Sequence, residues 1–490
     1  VGIKSYTMKG FTKIALFAGL LTTTVACNDF GDINVNPNSP SAPNTASLFT
    51  GALRTVGLIN NQVGPGAYNS VPAIYVQQLG DITYIEESRY KTINFSYNAL
   101  YSGPLVALQQ VIDLNTNEGT KLSAAANGSN ANQIAIARIM KGYYFLFITD
   151  RWGDVPYFDA LKGSANFSPA FTPQKDIYTD LFKEWKEAAA QFDGGGTVQG
   201  DILLGGNAAR WKKFAASLRM VAALRLSKVD PAKGKAEFNA ALTDGVLASN
   251  ADNVQYKFLK DQNNQNGLYD NYVFSNRKDF AVSDVFINYL KGVKDPRLPF
   301  IAAPNQKGDY VGVPYGLFPA QGKAQDFSLV GSVLSAQDSP AYVMTYAQIL
   351  FAQAEAAKLG WTTGNAKTLY ESAIKTSMQQ WMGSNYTDAA YTAYIAQPNV
   401  AYSDAAAIER IATQRWIALF AQGQESWNSW RRTGFPKLTP AKNTLNGGTE
   451  IPRRLAYPVT ETTLNAKNYA EVTARQGKDD QYTRVYWDVK

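Results

Sequence analysis

The sequence predicts a mostly α-helical protein, in which TPR-like helical hairpins form a scaffold and long irregular loops are inserted. Three observations lead there. Apolar residues recur at helical spacing in segment after segment between residues 97 and 422. Residues 341–382 read as two helices around a GWTTG turn, an αα-hairpin close to the ~34-residue length of a TPR unit. Residues 251–340, by contrast, are rich in Asn, Gly, Pro and Tyr, have weak periodicity, and read as long loops with short elements.

Each helix has its own signal. Residues 97–114 are expected to be helical at least after Pro104, because proline suits the first helical turn. In 131–149, Ile136, Met140, Tyr143 and Phe147 share one face. Thr172-Pro173 marks the start of a helix over 174–192. Trp211, Phe214, Leu218 and Val221 define the face of 208–228, and a further helix covers 234–248. The hairpin divides into helices at 341–359 and 365–382, with small residues such as Ala354 and Ala373 allowing close approach. The last periodic stretch, 404–422, lines up Ile408, Ala412, Trp416 and Leu419. The aromatics on these faces read as core packing.

The N-terminus has a different character. Lys9 and Lys13 precede an uncharged run from Ile14 to Ala26, too short to span a bilayer at roughly 20 apolar residues. A basic flank, a short apolar run and small residues at its end mark a secretory signal peptide over residues 1–26. Cys27, the only cysteine, follows directly, as in a bacterial lipobox, although Thr24 stands where Leu is usual. Lipidation of Cys27 is therefore expected; the alternative is plain cleavage after Ala26. Residues 27–45 form a polar, Pro-rich tether, and 46–490 form a single domain.

Absences narrow the function. The chain has no histidine. This excludes Ser-His-Asp and Cys-His catalysis and His-ligated zinc. With Cys27 lipidated, neither disulfide nor thiol chemistry remains. Removing Lys4, Lys9 and Lys13 with the signal segment leaves 44 basic against 40 acidic residues, a balance that gives no support to a nucleic-acid partner. No cofactor-binding motif is present. Among enzymes, a carboxylate-pair glycoside hydrolase on a helical fold is the class that survives.

Several local clusters have simpler readings. DINVNPN at 32–38 starts like a calcium loop, but Pro37 replaces the required Gly and Pro43 the closing Glu; Asx turns explain it. DQNNQNG at 261–267 likewise lacks its closing Glu, because Tyr272 stands there. Glu86-Glu87 with Arg89 and Tyr90 reads as a local salt-bridge cluster rather than a catalytic pair. The arginines of QESWNSWRRTGFP at 424–436 read as a helix end satisfying carbonyls.

Taken together, the Cys27 lipobox, the NVNPNSP tether, RWGDVPYFDA at 151–160, AQILFAQAEAA at 347–357, ERIATQRWIALFAQGQESWNSWRRTGFP at 409–436 and IPRRLAYPVTETTLNAKNY at 451–469 resemble the SusD/RagB-like outer-membrane lipoproteins of Bacteroidetes, most closely their SusD-like branch. The resemblance implies TPR-like helix pairs with an irregular ligand face and a non-catalytic role. It also implies capture of an oligosaccharide or other nutrient at the cell surface and delivery to a TonB-dependent, SusC-like transporter. Asp29 and Asp32 look like the acidic tail associated with surface export in that phylum.

No ligand residue carries over by motif, so the candidates come from chemistry. All nine tryptophans lie at or after residue 152 and none in 251–340, so tyrosines must supply the stacking faces for sugars. The candidates are Tyr75, Tyr84, Tyr90, Tyr269, Tyr272 and Tyr310, with Arg89 and Arg277 as polar anchors. The ligand face is expected from about 68–95 together with the loops of 251–340, because binding groups concentrate on loops held by a rigid scaffold.

Overall fold

Side-chain oxygens start the major helices and glycines in left-handed geometry end several of them, as local rules require. The computed structural model describes Gly2 and residues 43–64 and 67–490. The signal segment, Cys27 and the tether up to residue 42 lie outside the described residues. Helix α1 spans Thr45–Asn61, α2 Val106–Thr116, α3 Asn130–Trp152, α4 Gln174–Gln191, α5 Ala208–Arg225 and α6 Pro231–Asp244. After these come α7 Asp284–Gly292, α8 Tyr346–Lys358, α9 Ala366–Met382, α10 Asp388–Ile395, α11 Ala407–Ala418, α12 Gly423–Thr433 and α13 Ala466–Gln476. Asn207, Thr345 and Asn365 cap α5, α8 and α9 by accepting from Arg210, Gln348 and Thr368 backbone N–H groups. Gly153 and Gly434 follow α3 and α12 at φ +83° and +76°.

Four successive helix pairs form the scaffold: α3/α4, α5/α6, α8/α9 and α11/α12. They join one to the next through α4–α5, α5–α8 and α8–α11 packing. The chain from Thr45 to Lys490 forms one compact unit. All nine tryptophans are buried in it, so none offers a surface platform. Trp416 packs edge-on against Phe286 at 4.5 Å and donates its indole N–H to the Val76 carbonyl at 2.9 Å. Two buried charges are answered by charge. Glu355 of α8 lies between Arg415 of α11 and Arg432 of α12. Arg297 is fully buried and holds Asp295 with two hydrogen bonds, of 2.6 and 2.9 Å.

Strands are short and few. Three antiparallel pairs occur among the described residues: β1 (Leu79–Asp81) with β5 (Phe280–Val282), β2 (Val155–Pro156) with β3 (Phe171–Thr172), and β4 (Val254–Tyr256) with β6 (Ala341–Met344). The last pair corrects the helix expected over 341–359. AYVM is buried on both faces and pairs with β4, and Thr345 then starts the helix. Residues 101–105 are also helical before and through Pro104, but as a widened π turn, since proline has no N–H to donate. The 251–340 region contains α7 and several single turns among its loops.

Candidate functional site

The β1–β5 pair sets Asp81 opposite Phe280. It therefore brings the loop that follows β1 beside the loop that precedes β5, nearly two hundred residues later. At this junction Arg277 lies over Tyr84, 5.5 Å from the ring centroid. The arginine is held from behind: its Nε donates to Asp279 Oδ2 at 2.8 Å, and Asn271 Nδ2 donates to the same carboxylate at 2.9 Å. Tyr84 stays 54% exposed, with Phe274 (55%) exposed on the neighbouring loop.

Arg277 also lines an open groove of about 890 Å³. One wall is the end of α1, where Leu58 is exposed and Asn61 Oδ1 accepts from Gly267 N at 2.6 Å, tying helix to loop. Gln62 and Tyr68 continue that wall, and Gln262 and Asn263 face it from the 258–279 loop. The Tyr68 hydroxyl donates to the Ser96 carbonyl at 2.8 Å, and its ring packs edge-on to Phe147 at 5.8 Å. Two five-residue π turns, Tyr101–Leu105 and Asp270–Phe274, border the groove, a geometry that recurs at functional sites. The lining is dominated by amides and small apolar patches. Its one arginine is already matched by Asp279. Such a surface offers many neutral donors and acceptors and suits a hydroxylated ligand over a highly charged one.

The loop that carries Tyr84 is closed by a clamp. Asp81 Oδ2 accepts from Ser88 N at 2.7 Å and Ser88 Oγ at 2.9 Å, and Asp81 N donates to Ser88 Oγ at 3.1 Å. Burial pushes the Asp81 carboxyl up to about 7; the Ser88 bonds pull it down, and Glu87 and Glu86 add to the rise. Glu87 is buried too, and burial raises it while a bond from Thr92 opposes. The expected Glu86-Glu87-Arg89 salt-bridge cluster does not form. Arg89 instead donates Nε to the Asn443 carbonyl at 2.7 Å and lies 4.7 Å from the ring centre of Phe318, itself 64% exposed.

Three of the expected stacking tyrosines are corrected by their burial. Tyr75 packs edge-on to Tyr90 at 5.8 Å and its hydroxyl accepts from Gln481. Tyr90 accepts from Ala441 N at 3.1 Å, and Tyr272 donates to the Phe280 carbonyl at 2.9 Å. Their rings are core residues with no free face, and burial raises all three phenol pKa values. Tyr269 and Tyr310 are half-buried, and neither lines the groove. Tyr84 and Arg277 are the two candidates brought together at the surface.

The match to known proteins follows this architecture. A SusD-like family model, described as starch-binding and associating with the outer membrane, matches residues 37–458. The chain belongs to the SusD-like family. Among solved structures, a chitin-binding protein is 28% identical at a TM-score of 0.79, covering 91% of this chain and 100% of its own. A Bacteroidetes SusD-like protein is 27% identical at a TM-score of 0.77, with the same coverage of both chains. A chitin-binding SusD homologue from Flavobacterium johnsoniae, 24% identical, covers 91% of this chain and 99% of its own at a TM-score of 0.73 and shares the fold. No curated protein sequence matches the chain. Among the described residues no helix is long and apolar enough to cross a membrane.

Within this SusD-like fold, four residues outside the sequence candidates stand at this surface: Leu58 and Gln62 line the groove, and Phe274 and Phe318 are exposed beside Arg277 and Arg89. The two phenylalanines carry a readable signal, an aromatic in a Gly/Pro/Asn-rich loop. Leu58 and Gln62 carried none, because the end of an amphipathic helix reads as packing.

Proposed function

We propose that this protein is a cell-surface lipoprotein, anchored through Cys27, that captures a glycan and delivers it to a TonB-dependent outer-membrane transporter without chemical turnover. The ligand lies along the amide-lined groove, and a sugar ring stacks on Tyr84 beside Arg277. The observation that carries this reading is Arg277, which lines the groove and holds the exposed Tyr84 ring at its edge. An aromatic face beside hydrogen-bonding groups is the chemistry sugars require. The family description and the chitin-binding relative support glycans as the ligand class, and make chitin and starch oligosaccharides the first to try.

Titration of the purified protein with a glycan panel tests the proposal. Saturable binding without new reducing ends is expected. Sustained release of reducing ends would replace it with the glycoside hydrolase reading. The transporter partner is checked by retention of a barrel protein when the tagged protein is drawn from solubilised outer membranes. Cys27→Ala is expected to release the protein from membranes; a variant that still sediments with them after a high-salt wash would refute the lipid anchor.

A further inference from the structure

A second cavity, of about 380 Å³, lies in the helical scaffold between α2, α3, α4 and the loop at 157–162. That loop belongs to the RWGDVPYFDA stretch, whose conspicuous residues the glycan groove does not use. Three rings run from core to surface beside the cavity. Phe145 and Tyr157 meet at 4.5 Å, Tyr157 and Phe158 at 4.9 Å, and Phe158 is 57% exposed at the rim. The Tyr157 hydroxyl is fixed by Asp180 Oδ2 at 2.9 Å.

The charges around the cavity are matched, with one exception. Arg138 forms a two-bond pair with Glu184, at 2.8 and 2.9 Å, and reaches Glu187 at 2.7 Å. Lys162 pairs with Asp159, and Lys183 lies 3.7 Å from Asp180. Lys141 donates its Nζ to the amide oxygen of Gln109, and no carboxylate pairs with it among the described residues. An ammonium has three N–H groups, so two remain for a ligand. Burial lowers its pKa, with Glu184 and Asp113 pulling it back up. A ligand carboxylate at this position would give Lys141 the direct ion pair it lacks, against the nearby charges of Glu184 and Asp180, and a charge-assisted bond in a partly buried site is among the stronger polar contacts.

We propose that this cavity is a second binding site for a small carboxylate that carries a ring, with the carboxylate on Lys141 Nζ and the ring against Phe158. The same chemistry is met by an acidic sugar and by an aromatic acid. Calorimetric titration of the purified protein with glucuronate, phenylacetate and neutral glucose separates them. Saturation by glucuronate alone assigns an acidic sugar; saturation by phenylacetate alone assigns an aromatic acid. Glucose is expected not to bind there. Lys141→Met is expected to weaken the bound carboxylate at least tenfold and Phe158→Ala severalfold, while Tyr84→Ala leaves it unchanged. Phe158 is exposed, so its variant reports binding even if the Lys141 variant folds poorly. The proposal is overturned if neither carboxylate saturates, if Lys141→Met and Phe158→Ala both bind like the parent, or if Tyr84→Ala abolishes binding, which would place the ligand in the groove.

Discussion

Glu355 in the helical scaffold and Asp81 beneath the ligand face are both buried carboxylates, and they are handled in opposite ways. Burial pushes each up. At Glu355 the guanidinium groups of Arg432 and Arg415 outweigh it and hold the carboxyl at about 2. Asp81 has only Ser88 as donor, with Glu87 and Glu86 nearby, and rises to about 7. At Glu355 the scaffold neutralises the charge it buries. The proposed ligand face is closed with hydrogen bonds, and its arginine, Arg277, stays about half exposed at the surface while paired with Asp279. The difference lies in what surrounds each carboxylate: two guanidinium groups at Glu355, and only hydroxyl and backbone donors at Asp81.

The largest effects are expected in the scaffold. Glu355→Ala leaves two buried arginines without their acid and is expected to cost about 3–5 kcal/mol of unfolding free energy. Trp416→Ala removes a buried ring and its bond to Val76 and is expected to cost roughly 3–5 kcal/mol. Denaturant unfolding measures both, and glycan affinity per folded molecule should not change. A scaffold variant that stays stable would break the contrast.

The two carboxylates also give opposite pH slopes. Glu355 lies below its ordinary 4.5, so its stabilisation is present above that value and is lost as pH falls towards about 2. Asp81 lies above its ordinary 3.8, so its share is present below that value and is lost as pH rises through about 7. Asp81→Asn should flatten the decline in stability between about pH 4 and 7, by at most about 4 kcal/mol. An unaltered decline would remove Asp81 as its source.

The smallest stability changes belong to the ligand face. Tyr84→Ala is expected to weaken glycan binding by about 1–3 kcal/mol while shifting unfolding by no more than about 0.5 kcal/mol. Tyr75→Ala and Tyr272→Ala should do the reverse, because their rings are in the core. Measuring affinity and melting temperature on the same three variants sharpens the comparison. Equal binding by Tyr84→Ala and the parent would move the ligand away from this face.

Much of the scaffold was legible because helices are written locally. Period, caps and breakers lie within a few residues of what they determine: α3, α4, α5 and α9 fall where the sequence placed them, and α6 and α11 overlap their expected ranges with ends three to four residues off. The exception is instructive. Residues 341–344 carry a pattern compatible with the following helix, but a partner strand nearly ninety residues earlier claims them. The face was half legible. That loops 68–95 and 251–340 could carry a ligand, with Tyr84 and Arg277 among the candidates, could be argued from the sequence. Which tyrosines were free could not.

Sequence alone determined the helical class, the hairpin scaffold and the absence of histidine chemistry, and pointed to the loops as a place for a ligand, since each depends on residue type and near-neighbour spacing. Tertiary structure decided which rings were left over. Tyr75, Tyr84, Tyr90 and Tyr272 look alike along the chain, and only the β1–β5 pairing and the packing around it bury three and leave Tyr84 beside Arg277. The physical reason is that burial is set by what arrives from elsewhere in the chain, and a residue's own neighbours in sequence carry no record of it.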